Sequence, residues 1–205
     1  MNSPAQAAKT ARRCALFSYG FRPFFLLAGL YAFVAIATWI WILGTGATPA
    51  LAMPSLLWHA HEMLYGFVAA AIAGFMLTAV PSWTGSRGFA GAPLVVLTLI
   101  WLAGRVAFAL SGQLRIEVLY ATELLFLPAL ALLIAPSLLR SSNRNRPLLL
   151  VLLAFWLLDI LFLTAVQTGD VQLARKALYA GIDLVMLLIT VIGGRIVPAF
   201  TANAL

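Results

Sequence analysis

Six long, predominantly apolar runs constrain this chain more than any other feature. They extend from Phe24 to Leu43, His59 to Val80, Pro93 to Leu110, Val118 to Leu139, Leu148 to Val166 and Ala177 to Val197. At about 1.5 Å of rise per residue, each is long enough as a helix to cross a hydrocarbon core of about 30 Å. The chain is 63% hydrophobic and 9% charged, against about a quarter charged in an ordinary soluble domain. The fold class that follows is all-α, a polytopic transmembrane bundle of six helices in contact with the lipid bilayer. Residues 1–23 form a short segment ahead of it and residues 24–205 the transmembrane domain. The first run is too long for a signal-peptide core and no clear small-residue cleavage site follows it, so it is expected to stay as an anchor.

The net charge of +7 is arranged as a topology signal. Lys9, Arg12, Arg13 and Arg22 precede the first run, Arg87 lies between the second and third, and Arg140, Arg144 and Arg146 lie between the fourth and fifth. The alternate connections hold Arg115, Arg175 and Lys176. The positive-inside rule places both termini of this multi-pass chain in the cytoplasm. No basic patch is left over for nucleic acid. The single Cys14 cannot form an internal disulfide.

With that orientation, counting residues from the helix ends gives each intramembrane charge a depth. His59, His61 and Glu62 come at the outer rim, and Arg105, Glu123 and Asp183 fall in the outer part of their helices, with Asp159 near the middle. An ionisable group at a helix centre costs about 2.5–3.5 kcal/mol on insertion scales, so such groups are expected to face inward and to have partners. Arg105 cannot neutralise Glu62, Glu123, Asp159 and Asp183 together. The remainder must be protonated, in contact with water, or facing a cation. Pro128, inside the fourth run, predicts a kink whose freed carbonyl is satisfied by a neighbour.

The stretch "LLWHAHEMLYGF", residues 56–67, carries the densest set of donors. In a helix, His59 and His61 point about 160° apart, so they serve two sites unless the segment is extended. If it is helical, His59 groups with Glu62 and Met63, an imidazole, carboxylate and thioether set suited to copper. His61 then groups with Tyr65, an arrangement suited to haem. Below them Gly66, Ala70, Gly74 and Thr78 recur every fourth residue, a smooth stripe that admits either a neighbouring helix or a flat porphyrin. No G-x-S-x-G, HExxH or phosphate-binding glycine loop is present, which removes hydrolase and nucleotide-driven readings.

Three segments carry a family resemblance: "GFRPFFLLAGLYA", "WHAHEMLYGFVAAAIAGFMLTAVPSWTG" and "GGRIVPAFTANAL". They resemble the NnrS family, bacterial membrane proteins containing haem and copper and linked to nitric oxide. The resemblance implies a bacterial cytoplasmic membrane as the location, haem and copper as cofactors, nitric oxide as a partner and a role in the response to nitrosative stress. The residues matching the family's motifs are Arg22, Pro23, Trp58, His59, His61, Glu62, Met63, Gly74, Thr78, Pro81, Trp83, Arg195 and Pro198. The family typically has about twice as many helices, so the chain is expected to be either a fragment lacking a C-terminal half or a half-size protein that forms a homodimer. With two histidines, a haem held by two imidazoles and a separate copper site cannot both be built from one chain. The alternative function is a small-ion or metal transporter or channel using the outer carboxylates.

Overall fold

The computed structural model describes residues 15–47, 49–140 and 144–204, with the side chains of 195, 196, 199, 200 and 202–204 excepted. Cys14, Lys9, Arg12 and Arg13 lie outside the described residues, as does the side chain of Arg195. Among the described residues there are six helices long and apolar enough to cross a membrane. They are α1 (Phe21–Thr45), α2 (Ser55–Thr84), α3 (Ala92–Ala109), α4 (Ile116–Arg140), α5 (Leu148–Thr168) and α6 (Val171–Ala204). A short 3₁₀ turn, Ala15–Ser18, precedes α1. The helices run up and down, so the connections gather at two ends. At one, the Gly91 amide donates to Phe17 O (2.8 Å); at the other, the Ala52 amide donates to Ser111 Oγ (3.2 Å).

The bundle is inside-out relative to a soluble protein, as lipid requires. Large apolar side chains such as Leu30, Phe33, Ile40, Leu99, Leu132, Leu150 and Ile189 are exposed on its outer surface, where lipid tails cover them. Arginines and the two described acidic residues of the connections, Glu117 and Asp170, lie at helix ends. The central helix is α2: over half of its most apolar window is buried (56%), against 17% for α1. It contacts α1, α3, α4 and α6.

Two helices depart from regular geometry, each for an identifiable reason. In α4 the helix breaks between Glu123 and Phe126, four residues before Pro128. A proline ring clashes with the carbonyl four residues back and leaves it without a donor. That carbonyl belongs to Leu124, and the Trp156 indole of α5 donates to it at 2.9 Å, so the expected kink comes with its expected compensation. In α2, residues Glu62–Val68 form a π-helical turn between two α-helical stretches. Such wide turns occur singly and often at functional sites.

Helix boundaries differ from expectation in one way that matters. α2 begins at Ser55, directly after Pro54, rather than at His59, so the histidine pair is fully helical and the extended alternative is excluded. The glycine stripe of α2 is occupied by α1. A side chain built at Gly74 would meet Phe24 and Phe25 at 3.1–3.2 Å, and one built at Gly66 would collide with Tyr31. Close helix approach, and not a flat ligand, fills this groove.

That packing predicts that Gly74→Val lowers the stability of the detergent-solubilised chain by about 1–3 kcal/mol through overpacking. Gly29→Val, on α1 where nothing lies within 4 Å, leaves it unchanged apart from propensity. Denaturant titration followed by circular dichroism measures both.

Candidate functional site

The site is a buried charge network around His61, assembled from four helices. α2 contributes His61, Glu62 and Tyr65, α3 contributes Arg105, α4 contributes Glu123 at its break, and α5 contributes Asp159. Each is less than 7% exposed. The Arg105 guanidinium donates from Nη1 to Glu62 Oε1 and from Nη2 to Glu123 Oε1, one fork joining two helices across its own. His61 Nδ1 lies 3.2 Å from Glu62 Oε1. Its Nε2 lies 3.0 Å from Asp159 Oδ1 and 3.8 Å from Glu123 Oε1.

Both ring nitrogens of His61 therefore face carboxylate oxygen. A neutral imidazole donates from one nitrogen only, so one of these contacts sets a lone pair against oxygen unless an added proton, on the ring or on a carboxyl, or a cation stands between them. The donor atoms of His61, Glu123 and Asp159 all lie within 4.8 Å of one another, a group that could hold a metal ion. Glu62 Oε2, Glu123 Oε2 and Arg105 Nε are buried without a hydrogen-bond partner. Buried polar atoms are nearly always satisfied by protein, water or ligand.

Aromatic rings wall this network off from lipid. The His61 ring stacks against Phe108 (3.9 Å between centroids, 11° between planes), Phe162 (4.7 Å) and Tyr65 (4.8 Å). Tyr65 is itself fixed, its hydroxyl donating to Phe155 O at 3.3 Å. Trp101 Nε1 donates to Gly66 O at 3.1 Å, which pins the wide turn of α2. Gly104 matters here because a side chain at its position would come within 3.0 Å of Glu123 Oε2. Sequence reasoning did not single out Phe108, Phe162, Trp101 or Gly104 as members of the site. Aromatics are common throughout the chain, and nothing in linear spacing distinguishes these.

The remaining sequence candidates separate cleanly. His59 points away from His61, as their spacing in a helix requires, and stacks on Trp39 of α1 (4.7 Å, 7°). Its Nδ1 is buried and unpartnered, as is the indole nitrogen of the neighbouring Trp58. Met63 is half-buried, and His59 does not join the His61 group. Arg22 sits at the start of α1, at the opposite end of the bundle, where it donates to Ala15 O (2.8 Å) and lies over the Tyr19 ring. Asp183 is the clear correction: it shares the depth of the network but is exposed on α6. Depth was legible from residue counting; the rotation of α6 about its axis was not.

The fit to the cofactors implied above can be tested on this geometry. Haem bound through His61 needs a free ring nitrogen and an open face for the porphyrin, and His61 has neither. Gly66 and Gly74 are covered by α1, Tyr65 donates to Phe155 O, and His59, whose Nδ1 has no partner, is stacked on Trp39. The His61 group suits a small ion.

Fold and site together define a polytopic α-helical membrane protein with a closed, ionisable centre inside its helix bundle. Residues 15–205 match the family described as NnrS protein, and the chain belongs to that family. No curated protein and no solved structure matches it.

Removing Arg105 strands two buried carboxylates, which typically costs about 3–5 kcal/mol. Arg105→Met is therefore expected to abolish accumulation of folded protein, whereas Arg105→Met combined with Glu123→Gln recovers part of it. Lysine cannot reproduce the fork, so Arg105→Lys behaves nearly as badly as Arg105→Met. Fluorescence-detected size-exclusion profiles of the variants give the comparison.

Proposed function

We propose that this chain acts in the bacterial response to nitric oxide, in the cytoplasmic membrane with its termini inside, through a metal centre held within the bilayer at α2. The observation that carries the proposal is the convergence of His61, Glu123 and Asp159 donor atoms inside 4.8 Å in a setting where unpaired charge is costly. A three-donor site leaves coordination positions free for a small molecule, and nitric oxide is small, uncharged and soluble in lipid. It can reach a membrane-embedded centre without an aqueous channel. When bound, a metal would supply the electrophilic position for that ligand. The chain's own residues do the rest: Arg105 holds Glu62 and Glu123, and Phe108, Phe162 and Tyr65 keep water and lipid from the imidazole.

Copper and haem are the groups that the family resemblance implies. For copper the better chemical match is His59 with Met63, an imidazole whose Nδ1 has no partner followed one turn later by a thioether. For haem, His61 and the glycine stripe of α2 offer no fitting site, so no step is assigned to it. A second reading, transport of a small ion or metal, is favoured by the interrupted helices. Ion sites of membrane transporters lie where helices are unwound near the bilayer midplane, and both the π turn of α2 and the break of α4 border this network.

Cells that express the chain are expected to tolerate nitric oxide better than cells without it, and His61→Ala or Asp159→Asn should remove the benefit while Asp183→Asn keeps it. Measuring nitric oxide decay in membrane vesicles alongside growth decides this. Full protection by both network variants, present at wild-type levels, rejects the proposal. Metal flux into proteoliposomes without any effect on nitric oxide would move the assignment to transport.

A further inference from the structure

Resting on the metal-centre reading above, we infer that the ion taken by His61, Glu123 and Asp159 is a hard-to-borderline divalent cation of the Mn²⁺, Fe²⁺ or Zn²⁺ class, and neither haem iron nor reduced copper. The donor set decides the class. Two carboxylates and one imidazole make an oxygen-rich site. Carboxylates suit Mn²⁺, and imidazole suits Zn²⁺ and iron, whereas Cu(I) is selected by thiolate and thioether sulfur. The group His61, Glu123 and Asp159 contains no sulfur.

Geometry and charge point the same way. Donors bound to such an ion at about 2.0–2.2 Å stand about 3–4 Å from one another. His61 Nε2 is 3.0 Å from Asp159 Oδ1 and 3.8 Å from Glu123 Oε1, so an ion could enter with small side-chain adjustments. Glu123 Oε1, the oxygen facing His61 Nε2, is also held by Arg105, and the second oxygen, Oε2, is buried beside Gly104 without a partner, so a turn of the carboxylate can supply a donor without giving up the guanidinium. With the imidazole neutral and all three carboxylates ionised, Glu62, Glu123 and Asp159 oppose Arg105 alone, leaving two negative charges for an ion to balance in place of protons. One divalent cation cancels them; Cu(I) cancels half. The guanidinium's second contact, to Glu62, keeps that carboxylate against the other ring nitrogen of His61, which orients the ring for ligation as outer carboxylates do at metal-bound histidines.

The experiment is metal titration of the full chain in nanodiscs after chelator treatment, using Mn²⁺, Zn²⁺ and Cu(I) separately, with bound metal measured by elemental analysis. Mn²⁺ and Zn²⁺ should each bind at about one per chain and compete with one another. Asp159→Asn is expected to weaken both by at least tenfold, while Asp183→Asn, which removes the same charge from the exposed face of α6, leaves them unchanged. Pulsed electron paramagnetic resonance of the Mn²⁺-loaded wild-type chain should report a single coupled imidazole nitrogen that is lost in His61→Gln. This readout stands even if Asp159→Asn fails to fold. Absence of that nitrogen coupling, or binding indifferent to Asp159→Asn in folded protein, overturns the inference. Cu(I) bound at these residues in preference to Mn²⁺ and Zn²⁺ overturns it while sparing the metal-centre reading. No metal bound by folded protein overturns both, and means that protons alone balance the cluster.

Discussion

The double grip of Arg105 is the interaction on which the interior of this bundle depends. In water a guanidinium between two carboxylates is a minor contributor, screened and easily replaced by solvent. Inside a membrane there is no solvent to replace it, so an arginine or carboxylate left alone would carry its full insertion cost. Arg105 lies on α3 and its partners Glu62 and Glu123 on α2 and α4. None of the three helices can turn about its axis or slide without separating charges in an apolar medium. Hydrophobic burial cannot do this work, because lipid tails are as apolar as the leucines that face them.

Around that fork the backbone bends to suit the side chains. A regular α-helix would set His61 and Gly66 roughly 140° apart, yet both are buried, and the turn bonded between residues five apart brings them toward one face. On α4 the break induced by Pro128 falls immediately after Glu123. Each irregularity exposes backbone groups that must be satisfied, and indoles meet part of that need: Trp156 at Leu124 O and Trp101 at Gly66 O. Their place at the edge of one charge cluster ties local backbone chemistry to the site.

Much of this was legible before any coordinates. The six spans, the kink at Pro128 and the shared depth of Arg105, Glu123 and Asp159 follow from apolar length, proline chemistry and residue counting. The 160° divergence of His59 and His61 also follows from helical spacing once the segment is known to be helical. Legibility ended at rotation. Apolar residues surround every helix here, so the amphipathic signal that would fix which face turns inward is nearly absent. Asp159 and Asp183 are alike in one dimension, each a lone carboxylate within an apolar run, but one meets His61 and the other faces outward.

The same limit explains why the glycine stripe was open to a porphyrin as well as to the neighbouring helix that small residues more often signal. Small residues in a row register only that something approaches closely, and a ring face of phenylalanine satisfies that as well as a tetrapyrrole does. Phe24, Phe25 and Tyr31 of α1 take that place, which leaves His61 to be read through its nitrogens. There, the decisive fact is that Nδ1 and Nε2 both meet carboxylate oxygen. An imidazole used as a haem ligand keeps one nitrogen for iron. One set between carboxylates that belong to three different helices has the donors to hold a small ion with them, and the aromatic rings stacked around it make the setting dry, so that any charge left there must be balanced by a proton or an ion.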